Sequence, residues 1–125
     1  MTQYFTQSFF EEVASRLNAD SEWSKKAGTI SAKLVLTCVD RGASFLIDIV
    51  NGRVVSSAVS AETPADFKFE GTYDTWTLLG KGEKDLQSLV MSGKIRFRGS
   101  LPKIMGLMNV LGRVTSVARD VPKDF

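Results

Sequence analysis

A chain of 125 residues with 43% hydrophobic and 24% charged side chains is large enough to build one folded core without disulfide staples. It carries one cysteine and no histidine, which excludes an internal disulfide, a clustered thiolate metal site and the His-dependent forms of acid–base and nucleophilic chemistry. The net charge of +2 is unevenly placed, because residues 1–70 carry 7 basic and 9 acidic groups while residues 71–125 carry 9 and 5.

The start, Met1 to Phe5, has no basic segment leading into an apolar run, and no window approaches a membrane span, so a cytoplasmic protein is expected. Ser8 followed by Glu11 predicts a capping box, with Phe9, Val13 and Leu17 on one helix face and Phe10 and Ala14 widening it. Asp20 or Ser21 caps a second, short helix through Trp23 and Lys26, which Gly28 ends; Trp23 is its core anchor. From Thr29 to Val39, Ile30, Ala32, Leu34, Leu36 and Cys38 alternate with Ser31, Lys33 and Thr37, the pattern of a strand with one wet side.

Asn51-Gly52 is a two-residue hairpin signal between strands Ser44–Val50 and Arg53–Val59. It sets Val50 opposite Arg53, Ile49 beside Val54, Ile47 beside Ser56 and Phe45 beside Ala58. A loop with Pro64 then crosses to a strand at Asp66–Phe69. Thr72 caps a helix carrying Tyr73, Trp76 and Leu79, and Asp85 caps another carrying Leu86, Leu89 and Val90. A last strand at Ile95–Arg98 leads through Ser100-Leu101-Pro102 into an apolar helix from about Lys103 to Arg119.

On that helix Leu101, Ile104, Met105, Leu107, Met108, Val110, Leu111, Val114 and Val117 cover more circumference than packing on a sheet requires. Only Gly106, Asn109, Arg113, Ser116 and Asp120 form a polar face. A bound apolar ligand, a second subunit or a membrane surface would cover the surplus. The order of elements predicts a single α+β layer sandwich over residues 1–125.

Trp23 after the first helix, Ile47-Asp48-Ile49-Val50-Asn51-Gly52, Ala65-Asp66-Phe67, Tyr73 to Gly80 with Trp76, and Leu89-Val90-Met91-Ser92-Gly93-Lys94-Ile95 leading through Gly99 into an apolar helix form an ordered set. From about Phe5 to Leu111 this set resembles the sterol carrier protein 2 family. The resemblance implies a five-stranded, mainly antiparallel sheet covered on one face by helices. It also implies an apolar tunnel between the two layers, binding of a small apolar lipid such as a fatty acid, acyl-CoA, sterol or isoprenoid-like molecule, and no catalysis and no cofactor. Trp76, Leu79, Leu89, Met91, Phe97, Met105, Met108 and Leu111 are plain core by sequence and become tunnel-wall candidates through the resemblance.

Lys94, Arg96 and Arg98 form a basic stripe that is a candidate for a lipid head group or transient contact with an anionic membrane. No exposed aromatic interleaves with these charges, so nucleic acid is not an expected partner. Gly80-Lys81-Gly82-Glu83-Lys84 lacks the strand and the Ser or Thr of a phosphate loop. Cys38 falls on an apolar face as a small hydrophobe, and Asp48 and Asp66 lack the partners that catalysis requires. A homodimer or accessory protein contact through the apolar C-terminal helix is the rival to lipid binding.

Overall fold

A computed structural model describes residues 1–125. In chain order its elements are β1 (Thr2–Gln3), α1 (Gln7–Asn18), α2 (Ser21–Ala27), β2 (Ala32–Cys38), β3 (Ala43–Val50), β4 (Arg53–Val59), β5 (Phe67–Gly71), α3 (Tyr73–Gly80), α4 (Leu86–Met91), β6 (Arg96–Arg98), α5 (Leu101–Met105), α6 (Met108–Asp120) and β7 (Lys123–Asp124). Strands β4-β3-β2-β5-β6 form one five-stranded sheet, antiparallel except for the parallel β2–β5 pair. This is the mixed α+β architecture expected, with a mostly antiparallel sheet.

The hairpin at Asn51-Gly52 has positive φ at both turn residues, 49° and 80°, which gives the turn the right-handed twist of its strands. Val50 therefore pairs with Arg53, and Ile49, Ile47 and Phe45 with Val54, Ser56 and Ala58. Neighbouring strands place Leu34 beside Ile47 and Phe67, and Leu36 beside Phe45 and Phe69, so one face is an apolar floor. Helix α1 buries Phe9, Phe10, Val13, Ala14 and Leu17 against it. The edge of β4 is closed at one point: the Asn18 amide donates to Val54 O and accepts from Val54 N, both at 2.8 Å.

Three expectations need correction. The cap of α1 is Thr6, whose Oγ1 accepts from Phe9 N, because the helix begins one residue before Ser8. The wet side of β2 is only partly wet, since Val35 and Thr37 are buried there. The chain crossing from β4 to β5 passes over that face, where Lys68 Nζ donates to Ala61 O, and the Thr37 and Ser44 hydroxyls bond each other at 2.7 Å.

The apolar C-terminal stretch is two helices. The ladder breaks at Gly106–Leu107, where Leu107 N bonds Ile104 O in a tighter turn and no side chain caps α6. The structure also adds an element that no expectation covered: the termini pair as a parallel β1–β7 ribbon, with Tyr4 N donating to Asp124 O.

Candidate functional site

Between the apolar floor and the helices lies a cavity of about 70 Å³. Its walls come from four parts of the chain: Tyr4, Phe5, Phe9, Phe10 and Val13 at the start; Leu34, Leu36, Ile47 and Phe69 on the sheet; Trp76, Leu79, Gly80 and Leu86 on α3 and α4; and Leu111, Val114, Thr115, Ala118 and Arg119 on α6. Leu111, Val114, Thr115, Ala118 and Arg119 have the spacing of one helix face, so α6 presents a continuous wall.

Two hydrogen bonds pin the aromatic end. Trp76, 1% exposed, donates from Nε1 to Thr37 O at 2.9 Å, and the Tyr4 hydroxyl donates to Trp76 O. Burial, with smaller contributions from Tyr73 and Cys38, pushes the Tyr4 phenol above its ordinary value, so it stays a neutral donor. Phe5 has φ +57°, a conformation that a non-glycine residue adopts at a cost, and its ring packs against Phe10, Phe45 and Trp76. Aromatic burial offsets that strain and fixes the ring in the wall.

Helix α6 is held to α2 by a charged fork. Arg113 donates from Nε and Nη2 to the two Asp20 oxygens at 2.8 and 2.7 Å, and its Nη1 lies 2.9 Å from Glu22 Oε2. The hydrogen bonds from Arg113 hold the Asp20 carboxyl below its usual value, although desolvation opposes this. The polar face of the helix thus points toward α2 and turns the Leu111–Ala118 face to the cavity.

Trp76, Leu79 and Leu111 lie on the cavity wall. Leu89 is buried in the core beside it, Phe97 packs on Phe67 and Phe69, and Met108 is half-buried, none of them on the cavity. Met91 and Met105 are 80% and 71% exposed, so neither forms wall in this structure: Met91 ends α4 and Met105 lies on the outer side of α5, where only Ile104 is buried.

Lys94, Arg96 and Arg98 lie away from the cavity. Arg96 and Arg98 alternate with Phe97 on β6 and so project from the opposite sheet face, where Arg98 pairs with Glu70 at 3.3 Å. Sequence reasoning missed Tyr4, Phe5, Phe9, Phe10 and Arg119 as wall residues. Four aromatics within residues 4–10 were the available signal for the first four.

The Cys38 thiol is buried, donates to Asp40 Oδ1 at 3.3 Å and is pushed up to about 11, first by burial and then by Asp40, which makes it unreactive as a nucleophile. No group of three or more potential metal-ligating side chains comes together, and no helix is long and apolar enough to cross a membrane.

Sequence comparison matches the SCP-2 sterol transfer family over residues 10–112. The chain belongs to the SCP-2 sterol transfer family. That is a lipid-binding and lipid-transfer family.

Among solved structures, a crystal structure of sterol carrier protein 2 superposes with a TM-score of 0.82 at 24% identity, covering 96% of this chain and 100% of that one. The solution structure of a conserved hypothetical protein from Thermus thermophilus, described as possibly a sterol carrier protein, gives 0.83 at 22% identity, covering 99% and 93%. The solution structure of palmitated SCP2L2 from Aedes aegypti gives 0.56 at 10% identity, covering 96% and 98%. A comparison with curated protein sequences finds no match. At these identities the structural likeness establishes the SCP-2 fold.

Proposed function

We propose that this SCP-2 chain, as a single domain, binds or transfers a single-chain apolar lipid in the space between its sheet and α1, α3, α4 and α6, with no enzymatic step. The observation that carries this reading is the cavity: 15 of its 18 lining residues are hydrophobic, and it sits where a layer sandwich would otherwise close on itself. The palmitated state of the Aedes aegypti relative supports an acyl chain as the ligand type.

Ligand sites usually measure roughly 300–1,000 Å³, so a space of about 70 Å³ must widen to take an acyl chain. Helix α5 and the uncapped start of α6 are the parts that give way, because Leu101 and Met105 are exposed and Gly106 weakens the joint. Each methylene drawn into the opened site contributes ~0.8 kcal/mol, so affinity grows with chain length.

Native mass spectrometry of the purified protein, before and after titration with hexadecanoate, tests the proposal. One bound lipid per chain is expected; a clean spectrum at saturating hexadecanoate contradicts it.

A second reading rests on α5. Leu101 and Met105, one turn apart, remain 60% and 71% exposed and give an apolar strip that a second subunit could cover. A dimer in sedimentation that Met105→Glu converts to monomer supports this reading, and a monomeric wild type removes it.

A further inference from the structure

Arg119 is the one charged residue on the cavity wall. Phe5, Phe9 and Ile47 are buried at the deep end, whereas Leu79, Leu86 and Thr115 are half-buried and Arg119 is exposed. The mouth therefore lies between α6 and the turn that joins α3 to α4. Gly82, at φ +76°, makes the seat: a Cβ there would stand 2.6 Å from Arg119 Cδ, so only glycine lets the arginine lie across the turn.

The guanidinium has no ion-pair partner, unlike Arg113, whose fork is committed to Asp20 and Glu22. The nearby cations are placed differently. Lys123 Nζ donates to Ala118 O, Arg119 O and Val121 O at the end of α6, and Lys81 Nζ lies 5.3 Å from the Phe125 ring. Glu83, Asp85, Asp120 and Asp124 offset Lys81, Lys84 and Lys123 in charge along these segments, but none pairs with Arg119, whose donor fork is free to receive a ligand.

We infer that Arg119 is the head-group anchor of the site: its guanidinium takes the carboxylate of a single-chain fatty acid through paired charge-assisted hydrogen bonds, while the chain runs inward toward Ile47. The inference rests on the lipid-binding reading above and adds a ligand class, an anionic acid preferred over a neutral lipid of equal chain length. The planar fork of arginine suits a carboxylate better than the single ammonium of lysine does.

The test compares hexadecanoate with 1-hexadecanol by titration of wild type, Arg119→Gln and Arg119→Lys, in low and high salt. The anchor predicts that wild type prefers the acid, that Arg119→Gln weakens acid binding about fivefold, as an exposed ion pair allows, and that it leaves the alcohol unchanged. Arg119→Lys should restore part of the preference, and salt should weaken only acid binding. Equal binding of acid and alcohol, unaffected by Arg119→Gln, overturns the anchor and leaves the lipid reading standing. Failure of both compounds to bind wild type overturns both.

Discussion

Ala118 stands on the α6 face that lines the cavity, and replacing it with Leu puts three more carbons into the empty space. At ~24 cal/mol per Å³, a cavity of about 70 Å³ costs the unliganded fold at most ~1.7 kcal/mol. Burial of three methylene equivalents could supply ~2.4 kcal/mol, so the cavity, and not the side chain, sets the limit. Part of the gain is lost to imperfect fit, which leaves an expected stabilisation of ~1 kcal/mol, or a rise in Tm of ~4 °C for a chain of this size.

The same change removes the space from which the site opens. Wild type at a hexadecanoate concentration a hundredfold above Kd should gain ~2.7 kcal/mol, and Ala118→Leu should gain almost nothing. Thermal unfolding of both proteins with and without hexadecanoate reads all four values. If Ala118→Leu destabilises the free protein and keeps the full ligand shift, the cavity is not where the lipid binds.

Three further outcomes follow from other parts of the structure. Gly80→Ala would bring a Cβ within 2.7 Å of Tyr4 Cζ and 2.9 Å of Phe125 Cε1, so it should cost ~1–2 kcal/mol in denaturant unfolding, and adding Phe125→Ala should recover part of that; no recovery would show that Phe125 does not press on Gly80. Because Arg113 holds the Asp20 carboxyl below its unfolded value, the pair stabilises the fold above ~pH 4 and loses this contribution as the pH falls through the folded value. The gap in Tm between wild type and Asp20→Asn should therefore shrink below ~pH 4, and a pH-independent gap would remove the fork from the account. Replacing Lys94, Arg96 and Arg98 together with Gln should leave hexadecanoate binding unchanged while weakening any low-salt binding to anionic vesicles, because Arg96 and Arg98 project from the far face of the sheet; weaker hexadecanoate binding would contradict that separation.

Local chemistry made much of the fold legible. Asn51-Gly52 fixes the hairpin register because both residues readily take positive φ, which makes a two-residue turn whose twist matches its strands. Asp20, Thr72 and Asp85 announce their helices because each side chain accepts from a backbone N–H of the first turn. The break at Gly106–Leu107 was hidden, since apolar periodicity continues through it from Ile104 to Val110. The β1–β7 ribbon was hidden too, since two-residue strands are too short to show a period.

The wall was harder to read than the fold. Trp76, Leu79 and Leu111 carry the same hydrophobic signal as Met91 and Met105, and what separates them is where each helix ends, not the side chains. Tyr4 and Phe5 precede any regular helix, so no periodicity could place them. A cavity is implied by the resemblance to the SCP-2 family and by no residue pattern alone; the aromatic cluster and the α6 face supply its walls.

The most direct test of lipid binding in the cavity is a hexadecanoate titration followed by methyl and amide nuclear magnetic resonance. The largest shifts should fall on Leu34, Ile47, Leu111 and Val114, which face one another across the cavity, with smaller changes at the α5–α6 joint. Shifts confined to Leu101 and Met105 on the outer side of α5, or to Lys94, Arg96 and Arg98, would place the lipid outside the fold and contradict the account.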